Sequence, residues 1–210
     1  MILRPLSHTP AHHPSVETLT AYAAGVIRAG FDVVTAVHVR GCAQCRRDVA
    51  AFECVGGVVL SETPGVAVSD EALARVMARM DGPAPSSRMR RSLDDLLYKA
   101  KRRWVAPGVW VAKVDTPHAD DDRVYMLSAA PGAVTAMHTH SGVEFTQILS
   151  GALFDEGVTY SAGDFTERNI EHTHKPHTVS DEPCICLFAT HGRLAPTDFI
   201  GRIAFALADV

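Results

Sequence analysis

The first third of the chain carries apolar residues at helical spacing. Positions 16, 19, 23, 26 and 27 are apolar and three or four residues apart or adjacent, which predicts an amphipathic helix. Ser15 follows a proline and is expected to cap this helix, and Gly30 is expected to end it. Residues 31–39 are valine-rich, but their position between two helical patterns favours a second helix, which Gly41 breaks.

Two more helices follow in the same pattern. A run from Cys42 predicts a third helix that ends at Gly56-Gly57, with Cys54 in the core. Ser69 is expected to cap a fourth helix before Gly82-Pro83. The apolar side of this helix is a single stripe of four residues: Leu73, Val76, Met77 and Met80. The stripe favours a side that faces the core of a small bundle, and the alternative is a surface that docks a partner.

After Trp104 the pattern changes to short β-rich runs. Four such runs are separated by Pro, Gly, Asp and Asn: 109–114, 124–129, 143–149 and 184–189. Repeated short strands with turn residues between them are typical of a β-sandwich or barrel. Phe199, Ile203 and Leu207 are expected to close the chain as a short helix. The pattern predicts an α+β fold, with an N-terminal bundle of about four helices and a C-terminal β-barrel.

A change in composition separates the two halves. Residues 83–103 begin with prolines and serines and continue with a run of Lys and Arg. We therefore divide the chain into a helical domain (1–85), a basic linker (86–104) and a β-barrel domain with a C-terminal tail (105–210). The basic run favours a solvent-exposed segment, and contact with an acidic surface or a nucleic-acid backbone is the alternative.

Composition limits the classes of function. The 210 residues are 47% hydrophobic and 21% charged, which allows a buried core. The formal net charge of −4 argues against a general nucleic-acid-binding protein. No apolar run is long enough to cross a membrane, and the N-terminus lacks a signal-peptide core. Five cysteines with one CxxC pair favour a reducing compartment and metal or redox chemistry, so we expect a cytoplasmic protein.

His38, Cys42 and Cys45 form an H-x3-C-x2-C motif. Two cysteines three residues apart at the start of a helix point to one side, and a histidine four residues upstream can converge on the same point. Imidazole and thiolate are preferred ligands of tetrahedral zinc, so the motif predicts three of four zinc ligands. Two core cysteines, or a redox pair, are the other interpretations. The βαβ pattern that accompanies a thioredoxin-like pair is absent from the sequence here.

A second cluster of ligand-type residues lies in the β-rich half. His138, His140 and Glu144 lie between Gly132 and Gly151 in the spacing G-x5-H-x-H-x3-E-x6-G. Alternate residues share one face of a strand, so the two histidines project together and Glu144 can join them. Two imidazoles and a carboxylate favour a divalent transition metal. At every fixed position the segment resembles the first signature motif of the cupin barrels.

Cupins take a further histidine from a second motif that begins with a Gly-Asp turn. Gly163-Asp164 is similar to that turn, although the usual Pro-x-Gly is missing. Three histidines follow, and His174 lies at a fitting distance, so we expect it to be the fourth ligand. His172 and His177 remain the alternatives. The expected ion is a divalent transition metal, with zinc as the first choice.

Cys184 and Cys186 lie two residues apart and share a strand face. Small buried apolar side chains are the favoured interpretation, because free cysteine is usually buried. The alternative is an oxidisable dithiol close to the metal.

A helical module with His-x3-Cys-x2-Cys joined to a C-terminal cupin resembles the ChrR type of zinc-binding anti-sigma factor. The resemblance covers nearly the whole chain and includes the His-His-Pro-Ser segment, the Leu-Thr-Ala-Tyr-Ala-Ala-Gly run at 19–25 and the Cys-Ile-Cys-Leu near residue 186. In that family the fourth zinc ligand is a histidine just before the first helix. Its distance from Thr20-Ala21-Tyr22 places it at His13, with His12 and then His8 as alternatives.

The family implies a helical domain that binds an ECF-type sigma factor and blocks its assembly with core RNA polymerase. It also implies a cupin domain that responds to an oxidative signal such as singlet oxygen, a small molecule or oxidant at the cupin site, and release of the sigma factor. No direct contact with nucleic acid or membrane is expected. A metal-dependent cupin enzyme of the dioxygenase or isomerase type is the main alternative, and a DNA-binding regulator that uses residues 88–103 is another.

Overall fold

A computed structural model describes residues 9–81, 97–116, 122–135, 137–191 and 194–196. Four helices and twelve strands lie wholly within these residues, and residues 97–99 are also helical. The helices are α1 (Val16–Ala23), α2 (Ala29–Gly41), α3 (Ala43–Glu62) and α4 (Ala72–Asp81). The strands are β1 (Arg102–Ala106), β2 (Val109–Lys113), β3 (Asp122–Ala129), β4 (His138–His140), β5 (Glu144–Ser150), β6 (Ala152–Asp155), β7 (Val158–Ser161), β8 (Phe165–Arg168), β9 (Thr173–His174), β10 (His177–Thr178), β11 (Cys184–His191) and β12 (Leu194–Pro196). The expected closing helix at 199–207 lies outside the described residues, as does His8.

Helix α1 begins as the sequence predicts and ends earlier. Ser15 is extended, and its hydroxyl accepts a hydrogen bond from the Thr18 N–H at 3.2 Å. The helix ends before Gly25, whose φ of +68° is the left-handed conformation that favours glycine. The expectation that Gly30 ends it is wrong. Gly30 lies inside α2, where a Cβ atom would meet the Cβ of Asp122 at 2.6 Å, so this glycine allows close packing of helix on strand.

Helix α2 confirms the expected helix over the valine-rich segment 31–39. Helix α3 passes through Gly56-Gly57 and continues to Glu62, so the expected end at the glycine pair is wrong. Neither glycine has a positive φ. Cys54 is exposed, which corrects the expectation that it is buried. The reason is that the second half of α3 extends beyond the elements that pack on its first half.

Helix α4 confirms the expected fourth helix, but its apolar stripe does not face a core. The four side chains are between 48% and 71% exposed: Leu73, Val76, Met77 and Met80. The favoured interpretation of this stripe as a core-facing side is therefore wrong for the chain alone. The alternative, a surface available to a partner, agrees with the exposure.

The strands form antiparallel sheets. One sheet has six strands in the order β1-β2-β3-β11-β5-β8, and two sheets have three strands each, in the orders β10-β6-β7 and β12-β4-β9. The four β-rich runs of the sequence correspond to β2, β3, β5 and β11. Among the described residues, hydrogen bonding produces three separate sheets and not the single closed barrel that was expected.

The six-stranded sheet has one face against the helices and one against a cavity. On β5, Phe145 belongs to a hydrophobic core with Phe31, Val34 and Val37 of α2. Glu144 and Thr146, two residues apart on the same strand, line the cavity on the other face. The alternation follows from the two-residue period of a strand. A single strand therefore connects the helical half with the cavity.

Polar contacts fix the N-terminal end of α2 on the sheet. The Asp122 carboxylate, whose side chain is 2% exposed, accepts hydrogen bonds from the Arg28 guanidinium at 2.8 Å and from the Gly30 N–H at 3.3 Å. An acidic group is favourable at a helix N-terminus.

In the part of the chain that the structure describes, no helix has both the length and the apolar character needed to cross a membrane.

Two candidate metal centres

The first candidate centre lies where α2 ends and α3 begins. His38 is in the last turn of α2, and the backbone leaves the helical conformation at Cys42, with φ −101° and ψ 115°. The chain then re-enters a helix, so that Cys45 lies in the first turn of α3. His13 reaches the same point from the extended segment before α1, where Pro14 disfavours helix for the preceding residue.

The four side chains are arranged as a tetrahedral ion requires. The Nδ1 atom of His13 lies 3.4 Å from Nε2 of His38, 3.5 Å from Sγ of Cys42 and 3.4 Å from Sγ of Cys45. All four donor atoms lie within 4.8 Å of one another. Zinc bonded to nitrogen at about 2.0–2.1 Å and to sulfur at about 2.3 Å separates its tetrahedral ligands by roughly 3.3–3.8 Å. The residues fit zinc.

Burial changes the pKa values of side chains in this cluster. His38, Cys42 and Cys45 are each at most 2% exposed. Burial lowers the pKa of His38 to about 4, so its imidazole is in the neutral form that binds metal. Burial and the neighbouring Cys42 raise the pKa of Cys45 to about 12. Cys45 would therefore become a thiolate at neutral pH only with a cation beside it.

Of the histidines near the N-terminus, His13 joins the cluster and His12 does not. The ring of His12 lies against Tyr160, with centroids 4.6 Å apart, and its Nδ1 is 3.3 Å from the Asp164 carboxylate. His8, the third alternative, lies outside the described residues.

The second candidate centre lies on the small sheet that contains β4 and β9. His138 pairs with His174 across these two strands, and their Nε2 atoms are 3.0 Å apart. Two imidazole nitrogens on one ion at 2.0–2.1 Å lie roughly 3 Å apart, so this pair fits a shared ion. His140 lies two residues after His138 on β4, opposite Leu194 of β12. Glu144 begins the neighbouring strand β5.

Glu144 is a buried carboxyl group close to these histidines. It is 2% exposed and lines the same cavity as His138 and His174. Burial raises its pKa to about 7, although His174 and a hydrogen bond from the Thr146 hydroxyl at 3.4 Å act in the opposite direction. A cation beside it would favour its ionised form. The donor set of imidazoles and a carboxylate fits a divalent transition metal.

Residues that the sequence analysis did not single out hold His174 in place. The Asp155 carboxylate lies 2.7 Å from Nδ1 of His174 and also binds Arg168 at 3.2 Å. Burial raises the pKa of Asp155, but its contacts with His174 and Arg168 outweigh this and lower it. Arg168 in turn donates to the Tyr160 hydroxyl at 3.1 Å. A carboxylate on the second nitrogen of a histidine is a common support for a metal ligand.

The two alternative histidines of the second motif point elsewhere. His172 lies with its Nδ1 2.9 Å from the side-chain oxygen of Asn169 on an exposed loop. The ring of His177 lies against Phe154, with centroids 5.0 Å apart, on the wall of the cavity. Neither has the close contact with His138 that His174 has.

The cavity beside this centre has a volume of about 170 Å3. Its walls are mostly apolar, and His138, Glu144 and His174 are among its polar residues. Cys184 and Cys186 also line it, with their sulfur atoms 3.6 Å apart and both residues at most 2% exposed. The hydrogen bond with Cys184 and burial raise the pKa of Cys186 well above its ordinary value. The Cys186 thiol is therefore protonated, which agrees with the interpretation of buried small side chains.

Comparison with known proteins adds independent findings. The family model of the ChrR cupin-like domain matches residues 94–195. The chain is 34% identical over 211 aligned positions to the anti-sigma-E factor ChrR of Cereibacter sphaeroides, covering 93% of this chain and 96% of the relative. It is also similar to ChrR of Rhodobacter sphaeroides in its crystal structure with SigE, with 35% identity and a TM-score of 0.74 over 87% of this chain and all of that chain. The fold is thus cupin-like, with an N-terminal helical region.

Proposed function

The chain belongs to the ChrR family of anti-sigma factors, and from this we propose that it sequesters an ECF-type sigma factor through its zinc-bound helical domain. The sigma factor is released on an oxidative signal of the singlet-oxygen type, which the metal-binding cupin domain senses. The protein is a regulator and not an enzyme, since its full-length relative is an anti-sigma factor. It acts in the cytoplasm, where sigma factors meet RNA polymerase.

The proposed regulator uses the domains that the sequence suggests. Residues 1–85 form the zinc-bound helical bundle, residues 86–104 are the basic linker, and residues 105–210 are a barrel-like sensor that encloses the cavity. The family relation supports this division, because the matched family domain begins in the linker and ends near the end of the β-rich half.

One observation carries the proposed binding of a sigma factor. Apolar side chains on the second half of α3 and on α4 are at least 48% exposed. We call them the α3–α4 surface: Val55, Val58, Val59, Leu60, Leu73, Val76, Met77 and Met80. In the part of the chain that the structure describes, no other element covers them. Apolar side chains clustered on an otherwise exposed helix mark a protein-binding surface, and methionine is common where a surface adapts to its partner.

Zinc in the first centre would maintain the shape of this helical domain. His13, His38, Cys42 and Cys45 hold the ion and thereby join the segment before α1 to the junction of α2 and α3. Structural zinc sites of this type contribute on the order of 10 kcal/mol to the folding of a small domain. The ion would fix the direction in which α3 leaves the junction, and so the position of the α3 part of the α3–α4 surface.

The second centre belongs to the sensor. His138, His140, Glu144 and His174 hold a divalent transition metal, with zinc as the first choice. When bound, this ion offers an open coordination position to a small molecule or oxidant. Asp155 keeps His174 oriented through the 2.7 Å contact. The cavity gives the signal access to this buried site. Strand β5, which carries Glu144, also contacts the helical half.

The proposed partner is tested by co-expression of the full chain with an ECF-type sigma factor from the same genome, followed by co-purification. We expect a one-to-one complex. In a second measurement Met77→Lys should raise the dissociation constant at least tenfold, about 1.4 kcal/mol, because it introduces a charge into an apolar interface. Its thermal stability should be unchanged, since Met77 is exposed.

Ala78→Lys is the matched control for that variant. Ala78 is the next residue of α4 and is exposed on the side away from the stripe. The same lysine at this position should leave binding within twofold of the wild type. The proposal is wrong if no sigma factor of the host co-purifies. The assignment of the α3–α4 surface is wrong if the two lysine variants bind equally well.

A further inference from the structure

A buried amide stands among apolar side chains under helix α2. Gln147 is 3% exposed and lies on the helix-facing side of β5. Its partners across the sheet are Phe165 on β8 and Leu187 on β11, both at most 2% exposed. An apolar residue at this position would complete the core. A buried polar group on such a face needs hydrogen-bond partners, because a buried donor or acceptor without a partner destabilises the fold.

Both polar ends of Gln147 have partners, and one of them is a residue of the first metal centre. The side-chain oxygen lies 2.9 Å from Nδ1 of His38, and the amide nitrogen donates to the Ile148 carbonyl at 2.9 Å. The other ring nitrogen of His38, Nε2, faces His13 inside the cluster. Nδ1 therefore donates to Gln147, and Nε2 carries the lone pair.

The second imidazole of the cluster is also held from the β-rich half. The Asp164 carboxylate accepts hydrogen bonds from the backbone N–H groups of residues 11 and 12 at 2.7 and 3.0 Å. The Glu167 carboxylate accepts one from the Ser15 N–H at 2.9 Å. These contacts lie on both sides of His13 along the chain. They fix the extended segment that carries it against β8 and the turn before it.

We propose that the β-rich half positions the two imidazole ligands of the helical domain's metal centre, with Gln147 orienting His38 and Asp164 holding the segment that carries His13. This inference rests on the proposed zinc site. Both thiol ligands come from the junction of α2 and α3, so the geometry of the complete site depends on both halves of the molecule. Gln147 is a positioning residue that acts through His38.

The position of Gln147 has a consequence for signalling. Thr146, its neighbour on β5, faces the cavity on the other side of the sheet and donates to Glu144. A movement of β5 caused by a change in the cavity would be transmitted to His38 through one residue.

The test measures metal release from the purified, zinc-loaded full chain into a chelator. Gln147→Leu removes the acceptor and suits the apolar face, so the protein should stay folded. We expect release at least tenfold faster, since supporting contacts of this kind change metal affinity about 10–100-fold. Gln147→Glu keeps an oxygen acceptor and should release within threefold of the wild type.

Cobalt substitution gives an absorption spectrum that depends on the metal's ligands and that a general loss of stability would not change. Charge-transfer absorption from thiolate to cobalt reports the first centre, and its absence from Cys42→Ala assigns the band. We expect a shifted cobalt spectrum in Gln147→Leu and a wild-type spectrum in Gln147→Glu. Asp164→Asn, which weakens the contact with the His13 segment, should accelerate release in the same way as Gln147→Leu.

Three outcomes of these experiments would each contradict a particular part of the proposal. If wild-type protein holds no thiolate-bound metal, the proposed zinc site fails and this inference fails with it. If the wild type holds the metal and Gln147→Leu releases it at the same rate, only this inference fails. Equal acceleration in Gln147→Leu and Gln147→Glu would show general loosening of β5, and Gln147 would then have no positioning role.

Discussion

Asp164 is a buried carboxylate held by backbone N–H groups from two parts of the chain. Its side chain is 4% exposed and accepts from the N–H groups of Ala11, His12 and Ser161 at 2.7–3.0 Å. Burial by itself raises the pKa of Asp164, but these hydrogen bonds outweigh it and lower the pKa below the ordinary value of 3.8. A carboxyl group with a lowered folded-state pKa stabilises the fold above its unfolded-state pKa.

We therefore expect Asp164→Asn to lower the free energy of unfolding at neutral pH by about 2 kcal/mol, as typical for hydrogen bonds to a charged group. The amide nitrogen of the variant faces another N–H group where the carboxylate had an acceptor. The difference from the wild type should shrink as pH falls below about 4, because the unfolded wild-type chain then takes up a proton at Asp164, and it should disappear once pH falls below the lowered folded-state pKa. Urea unfolding at pH 7, 5 and 3 measures it.

Asp181→Asn makes the same chemical change at an exposed position and should match the wild type at every pH. A constant difference between Asp164→Asn and the wild type down to pH 3 would contradict the assigned role of the ionised carboxylate.

Cys42 and Cys45 supply both thiols of the first metal centre. We expect Cys42→Ala or Cys45→Ala to bind one zinc fewer per chain than the wild type and to unfold the helical domain, because a three-ligand site leaves a buried thiolate poorly neutralised. Elemental analysis and circular dichroism measure the two effects. Cys54→Ala, at an exposed position of α3, should keep the wild-type metal content. Unchanged metal content in the Cys42 and Cys45 variants would contradict the proposed site.

The sequence was informative about residues that supply donor atoms and uninformative about those that hold them. His13, His38, Cys42 and Cys45 meet in the structure because metal ligation restricts residue types and spacings. Gln147, in contrast, is a single polar residue in a β-rich run. Its function depends on an element more than a hundred residues earlier in the chain, and no local pattern contains that information.

At the scale of the elements, the glycine pair in α3 lowers the stability of the helix, and the structure leaves room to replace either glycine. Gly56 and Gly57 lie in a helical conformation, and a Cβ atom at either position would meet nothing within 4 Å. We expect Gly56→Ala and Gly57→Ala each to stabilise the second half of α3 by about 1 kcal/mol. This corresponds to roughly fivefold slower amide hydrogen exchange there. Mass-spectrometric hydrogen exchange of residues 53–62 measures it.

Gly25→Ala is the control for the glycine pair. A Cβ atom at Gly25 would also meet nothing within 4 Å, but the φ of this residue is +68°. Alanine there should destabilise the protein by about 1 kcal/mol, because the left-handed conformation is unfavourable for residues with a Cβ atom. Faster exchange in the Gly56 and Gly57 variants would contradict the continuous helix.

The comparison of these glycines explains which helix ends could be predicted. Periodicity located α1, α2, α3 and α4, because each has an apolar side. It assigned the wrong ends to α1 and α3, because a glycine can end a helix, continue it or permit close packing. Gly25 ends α1, Gly56 and Gly57 continue α3, and Gly30 packs against Asp122. Only the backbone conformation and the tertiary neighbours distinguish these uses.

At the scale of the whole molecule, helices and sheet share one hydrophobic core. Phe31, Val34 and Val37 of α2 pack with Phe145 and other residues of the six-stranded sheet. The apolar pattern of each segment shows that it has a side to bury and does not show which other segment covers that side. The sequence therefore predicts helices followed by strands. Their shared core is a property of the tertiary structure, and it places the first metal centre against β5 and β8.

The last prediction concerns the separation of binding from release. His138 is 5% exposed in the cavity of the β-rich half, whereas the α3–α4 surface is formed by the helices. His138→Ala removes an imidazole from the proposed sensor and leaves the proposed binding surface intact. We expect the sigma factor to bind with a dissociation constant within twofold of the wild type, and to remain bound when singlet oxygen is generated by a photosensitiser and light.

His172→Ala, which removes a histidine that contacts Asn169 on an exposed loop, should release the sigma factor as the wild type does. Size-exclusion chromatography of the complex before and after illumination measures both properties. Loss of sigma binding in His138→Ala would mean that the sensor half is needed for binding, and normal release would mean that the signal acts elsewhere.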